Sequence, residues 1–99
     1  MYIVREIFHL HFGRYKEASA MIKEAIGKNL LLQPTGMRFL TDFTGIGYRL
    51  IVELPYATLA DYESDLKKEL AGSGWPEWYE RFKQLVRSSE REILKQVNL

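Results

Sequence analysis

From Tyr2 to Phe12 apolar and polar positions alternate. Val4, Phe8, Leu10 and Phe12 fall on one side, and Ile3, Arg5, Ile7, His9 and His11 on the other. A period of two predicts a half-buried strand. Gly13 breaks the run. Tyr15, Ala18, Met21, Ile22, Ala25 and Ile26 then recur at spacings of three and four opposite Lys16, Glu17, Lys23 and Glu24, an amphipathic helix that ends near Gly27. Leu30 to Gly36, with Pro34 inside it, reads as a connection. Met37 to Phe43 and Tyr48 to Leu54 are extended runs joined by Thr44-Gly45-Ile46-Gly47, which predicts an antiparallel hairpin with a short loop.

Pro55 is expected to stop the sheet, and Thr58 with Asp61 three residues later approximates a capping box that opens a second helix. Its buried stripe is expected at Leu59, Tyr62, Leu66 and Leu70, and Gly72-Ser73-Gly74 ends it with residues that tolerate positive φ. Pro76 starts a third helix, whose apolar side is Trp75, Trp78, Tyr79, Phe82, Leu85 and Val86. Arg91 to Val97 alternates enough to be an edge strand.

Strand, helix, strand, strand, helix pair, strand is the split βαβ order of an α+β, ferredoxin-like fold: a four-stranded antiparallel sheet with helices on one face. One side of the first three strands reads Val4, Phe8, Leu10, Met37, Phe39, Phe43, Tyr48, Leu50, Val52 and Leu54, interrupted by Glu6 and Thr41, and suits the helices. The other mixes Ile3, Ile7, Leu40 and Ile51 with Arg5, His9, Arg38, Asp42, Arg49 and Glu53. That side is too apolar to be left wet and too charged for a dry core. Two copies that place these mixed faces together would close a barrel, with each arginine matched by Asp42, Glu53, or Glu6 if a bulge turns it inward. A homodimer is therefore expected. The competing expectation is a partly solvated face carrying ordinary surface charges.

Composition sharpens this. Ninety-nine residues bound the chain to one domain, residues 1–99, and 46% hydrophobic with 13% aromatic residues is generous for that length, as a partnered surface would require. Fourteen basic against 13 acidic side chains give +1 with no basic run, so nucleic acid is not an expected partner. Zero cysteines remove disulfides, thiolate nucleophiles and cysteine metal sites, and fit a cytoplasmic location. Strand-like residues from Tyr2 leave no room for a signal peptide, and no run approaches the roughly 18 apolar residues of a membrane span.

The candidate chemistry is sparse. His9 and His11 project from one side of a strand, about 6.5 to 7 Å apart along it. A metal would need a third ligand such as Glu53 or Asp42, and haem would need one axial histidine, but neither has an accompanying motif. No cofactor and no metal is expected. His9 with Asp42 or Glu53 is a workable acid–base pair, to be weighed against a salt-bridge network with Arg5, Arg38 and Arg49. The candidate ligand-binding set is Arg5, Arg38, Asp42, Arg49 and Glu53. The serines fall on predicted helix surfaces or loops with no nucleophile elbow, and Gly45-Ile46-Gly47 joins strands rather than preceding a helix as a phosphate loop does. Trp75, Trp78, Tyr79 and Phe82 could border a ligand entrance, although their helical spacing equally fits packing.

RLIVELPYATLADY, Arg49 to Tyr62, resembles the strand, Pro-Tyr turn and helix start of NIPSNAP-like proteins, and WPEWYERFKQLVRSSEREIL, Trp75 to Leu94, resembles their Trp-containing helix leading into the last strand. HLHFGR is similar to their leucine-x-proline-glycine turn, with Phe12 in place of the proline. The resemblance covers most of the chain and contains no catalytic signature. It implies a dimeric α/β barrel, a fold shared with cofactor-free monooxygenases, haem-degrading enzymes and stress-responsive proteins without assigned activity. Two functions are expected from it. One is a NIPSNAP-like protein that holds a small apolar or weakly anionic molecule inside the dimer barrel; the alternative is a cofactor-independent monooxygenase or isomerase acting on an enol or phenol, with His9 moving a proton.

Overall fold

Four strands and three α-helices follow one another as β1 (Tyr2–Leu10), α1 (Tyr15–Gly27), β2 (Arg38–Thr41), β3 (Arg49–Tyr56), α2 (Leu59–Ala71), α3 (Trp75–Phe82), a 3-10 turn (Lys83–Leu85) and β4 (Val86–Lys95). The computed structural model describes residues 1–99. The sheet is antiparallel with strand order β2-β3-β1-β4, and the helices lie on one face, a ferredoxin-like α+β fold.

The helix face holds two clusters. α1 contributes Ala18, Ile22 and Ala25 to the first, where two alanines let the helix lie close to the sheet, and α3 adds Trp78 and Phe82. Phe82 stacks on Trp78 at 4.8 Å and meets Phe8 edge-on at 5.1 Å, geometries that aromatic pairs favour. The Trp78 indole N–H donates to the Met21 carbonyl at 2.8 Å, so a buried donor is satisfied and α3 is tied to α1. The second cluster joins Val4, Val52, Leu54, Tyr56 and Tyr62, and Phe8 and Phe39 pack against both.

Helix ends follow local chemistry. The Thr58 hydroxyl accepts from Asp61 N–H at 3.1 Å, as the capping pattern predicts. At the end of α1 the left-handed residue is Asn29, φ 54°, not Gly27. Leu30 N–H donates to Ala25 O and Asn29 N–H to Ile26 O, the paired bonds of a Schellman cap.

Several boundaries and faces differ from the pattern. Pro55 does not stop the sheet, and Pro55-Tyr56 is no turn. Both residues continue β3 opposite Ile3 and Tyr2, because β2 pairs only as far as Arg38↔Glu53 and β3 is bordered on one side beyond it. β4 begins at Val86, five residues early, so Ser88 and Ser89 are in a strand rather than a helix or loop. Every residue of it except Val86 is exposed, and its first half, Arg87 to Glu90, is wholly polar, so no hydrophobic alternation reveals it there. Leu59 and Leu70 are exposed while Tyr62 is buried, which turns the inward stripe of α2 toward Tyr62, Leu66 and Glu69. Phe12 and Phe43 leave the helix face. Phe43 is fully exposed, and Phe12 packs against Tyr48 at the end of the sheet. Gly72 and Gly74 have negative φ, and glycine at 74 serves instead for closeness, since a Cβ there would lie 2.9 Å from a Leu30 methyl.

Phe82→Ala should lower unfolding free energy in urea by about 3 to 5 kcal/mol and Thr58→Ala by about 1 kcal/mol. Leu70→Ser, on the exposed side of α2, should stay within about 0.5 kcal/mol of wild type.

Candidate functional site

Strand register decides which polar side chains share a face. Arg5 lies opposite Glu53 on β3 and Glu92 on β4, Arg38 opposite Glu53, and His9 between Arg49 and Ser88. All project from the face without helices, as alternation predicts. Glu53 Oε1 accepts from Arg38 Nε at 2.7 Å, and its Oε2 lies 3.1 Å from Arg5 Nε, an ion pair too far off line to count as a hydrogen bond. Arg5 also reaches Glu92 at 3.7 Å. Asp42 and Arg49 staple the β2–β3 loop. Asp42 Oδ1 accepts from Arg49 Nη2 at 2.7 Å and Nε at 3.0 Å, while Oδ2 accepts the N–H groups of Gly47 and Arg49. The Arg49 side chain, followed by these backbone donors, holds the Asp42 carboxyl below its usual value, and the same contact pushes the Arg49 guanidinium up.

The five ligand-binding candidates are therefore gathered on one face, each in an ion pair with another charge of that face. Ile7 and Ile51 are already buried there within one chain, beneath their charged neighbours, whose aliphatic stems cover apolar surface. The two histidines separate. His9 Nε2 lies 2.6 Å from Glu90 Oε1 with little side-chain exposure, whereas His11 is exposed beyond the end of β1. Asp42 and Glu53 do not partner His9; Glu90 does, on the part of β4 that polarity concealed. Nowhere do three His, Cys, Asp or Glu side chains converge as a metal site needs.

The opposite face contains a cavity of about 170 Å³ between sheet and helices. Its walls are mostly apolar, among them Phe8, Leu32, Val52, Leu66 and the aromatic set Trp75, Trp78, Tyr79 and Phe82. An apolar cavity of about 150 Å³ admits benzene, so one substituted ring fits. Trp78 and Phe82 pack in the core, as their helical spacing predicts, and also line this space. Polar groups enter from three elements: Glu6 of β1, Glu69 of α2, and Ser89 and Arg91 of β4. Arg91 Nε donates to Glu6 Oε1 at 2.5 Å, and the guanidinium also lies 5.9 Å from the Tyr62 ring centre. Glu69 Oε2 accepts from Leu32 N–H at 2.8 Å. Burial raises Glu6 against the pull of Arg91, and raises Glu69 against the Leu32 N–H. The nearby Tyr62 hydroxyl is buried with no partner, and burial pushes it up too.

The helix side of the sheet therefore brings two acids raised by burial together with an apolar cavity, the combination expected of a candidate site. Two of these groups left a sequence signal. Glu6 interrupts the apolar side of β1, and Glu69 sits seven residues after Tyr62 and three after Leu66, on the inward stripe of α2. Arg91 gave none, because the residues its strand turns to the cavity, Ser89 and Arg91, are both polar.

No family profile matches the chain, and no curated protein does. Solved structures share its fold. A NIPSNAP domain protein from Burkholderia xenovorans superposes with a TM-score of 0.86 at 14% identity, covering 98% of this chain and 95% of that one. A NIPSNAP family protein from Agrobacterium tumefaciens gives 0.82 at 24% identity over 99% and 95%. A protein described as an antibiotic biosynthesis monooxygenase gives 0.72 at 10% identity over 99% and 100%. The fold is that of NIPSNAP domains and of the monooxygenases related to them in shape.

Glu6 and Glu69 have folded-state values above the ordinary 4.5, so their contribution to stability is complete below about that pH and is lost as pH rises through the raised values. Asp42 runs the other way, contributing above 3.8 and losing it as pH falls through its depressed value. Glu69→Gln removes one of the first kind. Its stability relative to wild type in urea should be more favourable at neutral pH than at pH 4.5, and an equal difference at both would refute the assignment.

Proposed function

We propose that this chain is a NIPSNAP-like protein of one domain, residues 1–99, that pairs through its helix-free face into a dimeric α/β barrel in the cytoplasm and holds a small, largely apolar molecule in each chain. The observation that carries the ligand reading is the cavity itself: apolar walls, one ring in size, with Glu6, Glu69 and Arg91 at its edge. The barrel interior between two open faces is a poorer place for an anion, because Arg5, Arg38 and Arg49 are already engaged by acids of their own chain. Pairing is supported by the bare strand β4 and by Leu94, which lies on the open face with 44% of its surface exposed. Ile3, Leu40 and Leu94 are the side chains left to gain from contact, at about 1.5 to 3 kcal/mol each when fully covered. Ile7 and Ile51 add little, being buried already.

A second reading keeps His9 as a proton carrier in a cofactor-independent monooxygenase or isomerase acting on an enol or phenol. It is supported by Glu90 at 2.6 Å, a carboxylate placed to orient the imidazole, and by the fold shared with an antibiotic biosynthesis monooxygenase. No helix is long and apolar enough to cross a membrane.

Light scattering at micromolar concentration should give about twice 11.6 kDa, and Ile3→Asp combined with Leu94→Asp should halve that mass without unfolding the chain; a wild-type monomer would end the barrel proposal. For the enzymatic reading, a quinol and catechol panel should show turnover that His9→Ala loses. Inactive wild type, or a fully active variant, removes His9 from that role.

A further inference from the structure

Among the charged groups of the cavity, one is left unmatched. Glu6 and Arg91 neutralise each other through a direct bond, and Arg91 is the only cation lining the space. Glu69 joins no ion pair of the chain; Oε2 is engaged by Leu32 N–H, and the Trp75 indole N–H pulls on the carboxyl more weakly. Glu69 is only partly buried and lines the cavity, so its carboxyl is not sealed off from a ligand's donor. Glu69 reaches its position because α2 turns Tyr62, Leu66 and Glu69 to the sheet, and its carboxyl stands beside apolar walls where water solvates it poorly. Trp75, stacked on Tyr79 with ring centres 4.7 Å apart, makes one flat wall of the same space.

We propose that the cavity takes a small aromatic ring bearing an N–H or O–H donor, and that Glu69 Oε1 accepts that donor while Trp75 and Phe8 flank the ring. This rests on the reading of the cavity as a ligand site and adds the ligand's chemistry. With Glu6 and Arg91 cancelling, the ionised Glu69 leaves the site one negative charge. A ring carrying an ammonium group is favoured over a phenol, a phenol over a plain hydrocarbon, and a carboxylate least of all. The preference is opposite in sign to the one expected from the arginines of the open face.

The chain has two tryptophans, and both line the cavity, so their indole N–H resonances report occupancy. Toluene, phenol, benzylamine and benzoate are titrated into wild type and Glu69→Gln. Wild type should bind benzylamine and phenol about tenfold or more tighter than toluene, in keeping with a hydrogen bond to a charged group, with benzoate weakest. Glu69→Gln keeps a carbonyl for Leu32 N–H and should bind toluene as before while losing the benzylamine preference. Equal wild-type affinities for toluene and benzylamine, or a ranking unchanged in Glu69→Gln, overturn the role of Glu69 and leave the cavity reading standing. Failure of all four probes to move either indole overturns the cavity reading itself.

Discussion

A sheet covered by helices on one face must settle the charges of its other face within the sheet, because a charge left over apolar neighbours without a counter-ion is expensive. Here the settlement runs across strands. Arg5 bridges Glu53 and Glu92, Arg38 shares Glu53, His9 takes Glu90, and Arg49 closes on Asp42. Each bridge depends on register. A one-residue slip against β1 would send Glu53 of β3, or Glu90 and Glu92 of β4, to the other face. The same lattice covers Ile7 and Ile51, so the open face is better solvated than a bare apolar surface while still offering Ile3, Leu40 and Leu94.

The helix face obeys the opposite rule. Aromatic packing around Phe82 and Trp78 excludes water, and the few polar groups admitted there are constrained by it. Glu6 is tolerable because Arg91 comes from the neighbouring strand to meet it. Glu69 has no cation, only the Leu32 N–H and a weaker pull from Trp75, and burial raises both acids. The fold thus separates its ionisable groups into cross-strand pairs on the open face and, beside the cavity, the Glu6–Arg91 pair and Glu69, which has no cation.

What could be read from letters alone was whatever local periodicity encodes. Alternation in Tyr2 to Leu10 placed Arg5 and His9 on the face opposite Val4 and Leu10, and β3 sorted Arg49 and Glu53 from Leu50 and Val52 in the same way. Thr58 and Asp61 marked the start of α2, and Pro76 the start of α3. From these the ferredoxin-like order followed, and with it the expectation that Arg5, Arg38 and Arg49 must meet acids. Periodicity failed where burial is absent or comes from a distant element. Val86 to Glu90 form a strand in which Val86 alone packs against the core, so no apolar alternation marks it, and Glu90 and Glu92 escaped notice as the partners of His9 and Arg5. Phe12 and Phe43 alternate correctly and yet stand outside, because the strands end before them.

The sequence by itself determined the elements, their order and the two faces of the central strands, since these depend on contacts between near neighbours in the chain. Which acid answers which base, and that a ring-sized space remains beneath the helices with Glu69 unmatched at its edge, was decided by the tertiary structure. Those properties arise where β1, α2 and β4 meet, among residues 6, 69 and 91, and no local pattern carries a distance across such a separation.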